Sequence, residues 1–287
     1  MNKLDRQKRV QVINCLVEGA SIRATVRITG VAKKTVMRVL VEAGEVCADY
    51  QDRVFQRLNC RRLQLDEVWT WIYCKNKNRT ADIARRNPDA GDIWLWTALC
   101  ADTKLVPSWR LGQRDLATAK DFISDLASRL KHRVQITSDG HRPYLEAIEG
   151  EFGMDVDFAM LQKVFGAPSD EDVRRYSPAK CIGCEMKAII GDPDPKHVST
   201  SFVERHNWTL RTHLRRYTRL SNGFSRKLEN HAAAVALNYF AYNFIKIHRS
   251  LRMSPAMAAD VTDRLWSVED LVALWESYEQ RRAERAA

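Results

Sequence analysis

Between residues 60 and 75 the spacing of apolar side chains changes from helical to alternating, which rules out both an all-helical and an all-β chain. Before the change, Val10, Val12, Ile13, Leu16 and Val17 fall on one helix face that ends near Gly19. Ser21 suits the N-cap of a short second helix carrying Ile22, Val26 and Ile28. Gly30 breaks that helix, because a left-handed turn is cheap only without a Cβ, and Val31, Val36, Val39 and Leu40 mark a third, closed by Gly44. After the change, Leu63, Leu65, Glu67, Trp69 and Trp71 share one face of a strand, and Asp66, Val68, Thr70 and Ile72 share the other. Residues 93–99 and 106–111 read as two more strands of a meander, 116–130 as a helix and 134–137 as a short buried strand.

Strands followed by a helix and another strand predict a mixed α/β layer. Turn formers (Pro168, Pro178, Gly183, Gly191, Pro193, Pro195) mark 161–200 as an irregular insertion. Helical signal returns at 201, with a long apolar segment over 228–248 and a last helix over 268–285. The expected division is a helix-turn-helix domain over 1–45, a linker over 46–62, an α/β domain over 63–250 and a C-terminal helical segment over 251–287.

Net charge is +10 and the pI about 9.3, which favours a polyanionic partner. The excess is concentrated in two zones. Residues 1–62 carry thirteen Lys/Arg against six Asp/Glu, and residues 199–230 carry seven against two. Two surfaces touching nucleic acid would account for this, and so would a basic but inert surface. With 45% hydrophobic and 29% charged residues, a substantial core is expected rather than disorder. No apolar run reaches the length of a membrane span, and the charged N-terminus does not read as a secretory signal. Seven scattered cysteines, an odd number, suit a reduced, cytoplasmic setting.

The segment SIRATVRITGVAKKTVMRVL, residues 21–40, fits helix, glycine turn and second helix at the length DNA readers use. Packing the apolar sides together leaves Lys33, Lys34, Thr35 and Arg38 outward, where base edges and phosphates can be reached. An ordinary helical hairpin would show the same pattern without the basic face.

Three acids stand where chemistry could use them. Asp66 lies inside an apolar strand, where a carboxylate needs a partner. Asp139 follows the short buried strand, and Glu204 sits in the first turn of an expected helix. Oxygen ligands converging from different elements are what a pair of Mg²⁺ ions requires to split a phosphodiester. Each acid also has a plain reading. Asp139-Gly140 is a turn dipeptide, Ser201-x-x-Glu204 is a capping box, and Asp66 or its neighbour Glu67 could be a solvated strand residue. Asp139 and Glu204 lie 65 positions apart, with Glu185 and Glu171 as weaker candidates between them.

The stretches LDEVWTWI, SDGHRPY and TSFVERHNWTLRTHLRRYTRL, with YNFIKIHRSLRMSPAMAA downstream, resemble insertion-sequence transposases of the insertion-sequence-one-like group. The likeness covers most of residues 1–280. It implies an RNase H-like catalytic core in which Asp66, Asp139 and Glu204 hold two Mg²⁺ (or Mn²⁺) ions. It also implies cleavage at the ends of a mobile element to expose 3′-hydroxyls, which then attack target DNA. The partners implied are double-stranded element ends and target DNA, with at least a homodimer in the synaptic complex and a bacterial nucleoid setting. Two other readings remain: a helix-turn-helix regulator without catalysis, and a nuclease with the same core that cuts without joining.

Arg205, Arg211, Arg215, Arg216 and Arg219 follow Glu204 and suit phosphate contacts. Cys181-x-x-Cys184, with His197 and His206 as conceivable partners, is one pair without a second, so zinc is not expected there. His248 and Arg249 are expected to cap the long C-terminal helix rather than to act in catalysis.

Overall fold

A computed structural model describes residues 4–166, 181–219 and 221–286. Three helices open the chain: α1 (Arg6–Val17), α2 (Ile22–Thr29) and α3 (Lys33–Val54). The sheet elements follow, with β1 (Arg62–Ile72), a short α4 (Ala81–Arg86), β2 (Gly91–Cys100), β3 (Ser108–Gly112), α5 (Leu116–Ser128), β4 (Val134–Ser138), α6 (Pro143–Phe152), β5 (Val156–Phe165) and β6 (Cys181–Ile190). The chain closes with α7 (Ser201–His213), α8 (Leu228–Phe240), α9 (Pro255–Ala258) and α10 (Val268–Ala286).

The strands form one six-stranded sheet in the order β3-β2-β1-β4-β5-β6. β1 to β3 are an antiparallel meander, β1, β4 and β5 run parallel, and β6 returns antiparallel to β5. Both faces are covered. On one, Trp96 of β2 packs against Phe122 of α5 and Tyr144 of α6. On the other, Thr97 shares a 2.8 Å hydrogen bond with Tyr239 of α8. This is a mixed-sheet α/β chain with an RNase H-like core and helical segments at both ends, the class the sequence pattern predicts. The buried cluster is continuous from Val12 and Val36 through Leu65 and Ile136 to Phe244 and Trp275.

One feature of the sheet makes the site. Pairing between β1 and β4 covers only Arg62↔Gln135 to Gln64↔Thr137. Beyond that point the two parallel strands diverge, and a crevice opens outside their carboxyl ends, where α/β sheets place ligands.

Several local expectations need correction. α3 does not close at Gly44 but runs through it to Val54, so residues 46–54 of the expected linker are helix. Gly44 is there for packing: a Cβ would lie 2.5 Å from the Ala233 Cα of α8, so only glycine lets the helices approach this closely. In α2 the expected apolar Ile28 is 69% exposed, and Thr25 and Thr29 are buried instead, their hydroxyls returned to backbone carbonyls of Ser21 and Thr25. Residues 161–200 are not irregular throughout, because β5 and β6 pair across them. Pro168, Glu171 and Pro178 lie outside the described residues. The segment 228–248 is α-helical only to Phe240. A π turn over Ala241–Ile245 follows, and His248 sits beyond it, its amide donating to the Met253 carbonyl rather than capping the helix.

Candidate active site

Alternation along β1 puts Gln64 and Asp66 on the face that meets α7, and both are used. The Gln64 Oε1 accepts the backbone N–H groups of Phe202 (2.9 Å) and Val203 (3.0 Å), satisfying donors that the first turn of a helix otherwise leaves unpaired. One strand repeat on, Asp66 Oδ2 accepts from Asn207 Nδ2 at 2.6 Å, and its Oδ1 accepts the Glu67 N–H at 2.9 Å. Because Glu204 and Asn207 are three apart on α7, docking Asn207 on Asp66 brings Glu204 to the same crevice.

Asp139 comes from the other side of the divergence. It is the residue after β4, and its Oδ1 accepts the His141 N–H at 3.0 Å, closing an Asx turn. The turn and the site are therefore the same residue. Asp66, Asp139 and Glu204 all line one cleft of about 590 Å³, with Arg114, His141, Lys163 and Thr200 around them.

The capping-box reading of Glu204 is not what forms. Thr200 occupies the N-cap, and its hydroxyl donates to Glu204 Oε1 at 2.5 Å. The Lys163 ammonium of β5 spans both Glu204 oxygens at 2.5 Å. On the Asp139 side, Arg114 lies 3.4 Å from Glu67 Oε2 and 3.9 Å from Asp139 Oδ2.

Glu67 is the residue that sequence reasoning passed over. Its side chain is 2% exposed, and Oε1 has no hydrogen-bond partner among the described residues. Oxygens of Asp66, Glu67 and Asp139 lie within 4.8 Å of one another, a spacing able to hold a metal ion. Adjacent strand residues normally point to opposite faces. They do so here, Asp66 toward Asn207 of α7 and Glu67 toward Tyr144 of α6, and Asp139, just past the end of β4, lies within reach of both. The signal was in the sequence: an acid on the apolar face with Leu63 and Leu65 has no water to face. Asn207 was equally readable, three residues after Glu204.

The electrostatics match that crowding. Burial, then the nearby Asp139 carboxylate, raises Asp66 to about 6 against the Asn207 and backbone hydrogen bonds that oppose it. Burial and Asp139 likewise raise Glu67 to about 8. Burial also depresses His141. A divalent cation between these oxygens would remove the mutual repulsion, and hard oxygen donors suit Mg²⁺ or Mn²⁺.

The basic residues named from sequence are dispersed. Lys33 and Lys34 are exposed at the start of α3, Thr35 is half-buried, and Arg38 is ion-paired with Glu42 at 3.8 Å. On α7, Arg205 is exposed and lies 4.4 Å over the Trp208 ring. Arg211 is half-buried and Arg215 exposed. α7 ends at His213, so Arg215, Arg216 and Arg219 are not on it. Arg216 is held inside, where burial lowers it to about 10 and its Nε donates to Ser225 Oγ at 2.7 Å. Cys181 and Cys184 are exposed on β6 with sulfurs 3.9 Å apart. His197 lies beside Arg62, and His206 stacks on Tyr239, so neither histidine joins them. Among the described residues no helix is long and apolar enough to cross a membrane.

No protein-family model and no curated protein matches the chain. Among solved structures it is similar to piggyBac transposase in a synaptic complex with hairpin DNA, at 11% identity and a TM-score of 0.44, over 99% of this chain and 73% of that one. It is also similar to a Mos1 transposase paired-end complex with left transposon end, at 13% identity and a TM-score of 0.22, over 52% of this chain and 58% of that one. A Mos1 strand transfer complex gives 12% identity and a TM-score of 0.22, over 84% and 78%.

Proposed function

We propose that the chain is a transposase that binds the ends of a mobile element and carries out metal-dependent DNA cleavage and strand transfer. The observation that carries this reading is the convergence of Asp66, Asp139 and Glu204, from a strand, a strand end and a helix, on one cleft where the parallel strands part. Carboxylates brought together against their own repulsion suit a site completed by cations. When bound, two Mg²⁺ or Mn²⁺ ions would activate the attacking oxygen and stabilise the leaving one.

The protein's own groups then have separate tasks. Asp66 and Asp139, with Glu67 beside them, would hold one ion, and Glu204 would join Asp66 toward the other. Asn207 orients Asp66, and Gln64 fixes the helix that carries Glu204. Arg114 and Lys163 pair with the acids, and with metal bound they would be free to contact substrate phosphates. Lys33, Lys34, Thr35 and Arg38 would read end DNA, and Arg205, Arg211 and Arg215 would contact phosphates near the cleft. Synapsis of two ends requires at least a dimer.

The test uses labelled duplexes taken from the DNA flanking the gene, incubated with Mg²⁺ or Mn²⁺. Nicked ends and joined products are expected, both lost in Glu204→Gln. Nicking without joining would make the protein a nuclease, and binding without either would make it a regulator. Strand transfer by Glu204→Gln at the wild-type rate would remove Glu204 from the site.

A further inference from the structure

The β1 face that carries Glu67 continues away from the cleft as Trp69 and Trp71. Trp69 is 39% exposed on a strand whose inner residues Leu63, Leu65 and Val68 are buried. Its ring lies 5.2 Å from that of Trp71, which in turn lies 5.9 Å from Phe224, so three aromatic rings follow one another, Trp69 exposed and Trp71 and Phe224 half-buried. The Lys75 ammonium sits 5.2 Å from the Trp69 ring and 4.9 Å from the Trp71 ring. Lys77 and Arg79, just beyond in sequence, are exposed.

Large apolar rings held at a surface forgo the stabilisation that burial would give, and they mark binding surfaces more often than scattered leucines do. A row of rings capped by an ammonium is poorly suited to an apolar partner, since that partner would have to bury the charge. It suits a polyanion with flat faces. In a duplex the base faces are already stacked on each other, so only unpaired or extruded bases can use such rings. The geometry fits the length of a strand: residues two apart on β1 are about 6.7 Å apart, close to two base steps, so Trp69 begins one repeat from Glu67.

We propose that Trp69 and Trp71, with Lys75, form a stacking platform for unpaired bases of the strand whose phosphodiester enters the acidic cleft. This rests on reading that cleft as a DNA site. The platform takes bases by their faces and so tolerates sequence. It would keep a few nucleotides next to the cut open and aligned.

The experiment compares two fluorescein-labelled DNAs of the same sequence, one fully paired and one with a four-nucleotide single-stranded tail. Binding is read by anisotropy in EDTA, where no cleavage occurs, at several salt concentrations. Trp69→Ala with Trp71→Ala is expected to weaken the tailed DNA about tenfold or more and leave the paired DNA nearly unchanged. The salt slope should stay constant, since rings neutralise no phosphate. Trp69→Phe with Trp71→Phe should keep most of the preference, and its retained binding controls for folding. Equal loss on both DNAs, or no loss on either, overturns the platform. So does an alanine variant that changes the sedimenting assembly without DNA while keeping the tail preference, which would make the strip an interface between copies. A wild-type protein that prefers tailed DNA yet never nicks it would support the platform and reject the proposed chemistry, so the two failures are distinguishable.

Discussion

Two groups of carboxylates in this molecule are handled in opposite ways. Asp125, on α5, accepts from Arg129 at 2.8 and 3.0 Å and from the Ser108 hydroxyl at 2.5 Å, with Arg110 at 3.5 Å, and Arg129 also holds Asp52 at 2.6 Å. Burial opposes the charge there, but those hydrogen bonds outweigh it and keep Asp125 below the usual carboxylate range. Around Asp66 and Glu67 the balance is reversed: burial and a neighbouring acid win, and the groups rise to about 6 and about 8. The first cluster is satisfied by the protein alone. The second has partners as well, Asn207 on Asp66 and Arg114 beside Glu67 and Asp139, but they do not outweigh burial and mutual repulsion, and this marks it as the candidate functional cluster.

The largest effect that could break this contrast is on chemistry. Asp139→Asn should lower metal-dependent nicking by on the order of 10³-fold, measured on labelled end DNA, because it would weaken a proposed metal ligand while its Oδ1 can still accept the His141 N–H. In the same variant the metal-free protein should be no less stable by urea unfolding, since a repelling charge is gone. Marked destabilisation would make Asp139 an ordinary structural acid.

The converse holds at the other cluster. Arg129→Met leaves Asp125 and Asp52 without their shared cation, and the cost should be about 3 kcal/mol in urea unfolding. Nicking at a temperature where the variant is folded should be unaffected. Loss of activity without loss of stability would show that the contrast is drawn in the wrong place.

The two clusters also predict opposite responses to pH. Asp66 and Glu67 are raised, so the folded protein binds their protons more tightly than the unfolded chain does. Stability in EDTA should therefore fall as pH climbs from about 4, where such acids titrate unfolded, to about 8, the folded value of Glu67. Asp125 is lowered, so its contribution is complete above the ordinary carboxylate range and is lost only as pH drops through its folded value. Melting temperatures at pH 5 and pH 8, with and without Mg²⁺, read this directly. Mg²⁺ should restore stability mainly at pH 8. Glu67→Gln should raise the metal-free melting point there by about 3 °C or more. A flat profile in EDTA would contradict the raised acids.

Smaller effects separate the basic residues. Arg215→Ala should weaken DNA binding across sequences and reduce its salt slope by about one. Arg216→Ala should instead act on folding, because that guanidinium is buried against Ser225. Lys34→Ala with Arg38→Ala should weaken binding to end DNA more than to unrelated DNA, with Lys34 dominant because Arg38 is already paired with Glu42.

What was legible in the sequence follows from how local each signal is. The alternation of 63–73 located β1 and the face of Asp66, and the position of Asp139 after a short buried strand was right. Gly44 misled because glycine ends helices by default, whereas here it serves a contact with Ala233, 189 positions away. Arg216 looked like its exposed neighbours because nothing local announces that the chain leaves the helix at His213 and turns inward. Glu67 shows in the sequence only as an acid on the apolar face with Leu63 and Leu65, and what it meets there depends on where β4 ends. The pairing of β1 with β4 stops at Gln64, a fact of topology that no residue near Glu67 encodes. The capping-box reading of Ser201 and Glu204 failed because the competing partner, Lys163, comes from a different strand.

The central claim is that Asp66 touches a catalytic metal ion, and one substitution reads this most directly. Asp66→Cys replaces a hard oxygen ligand with a thiolate, which binds Mg²⁺ poorly and Mn²⁺ better. Strand cleavage by this variant should be lost in Mg²⁺ and regained in part in Mn²⁺, while the wild type works in both. Equal activity of the variant in the two metals, or equal loss with wild-type stability and DNA binding intact, would contradict direct coordination by Asp66.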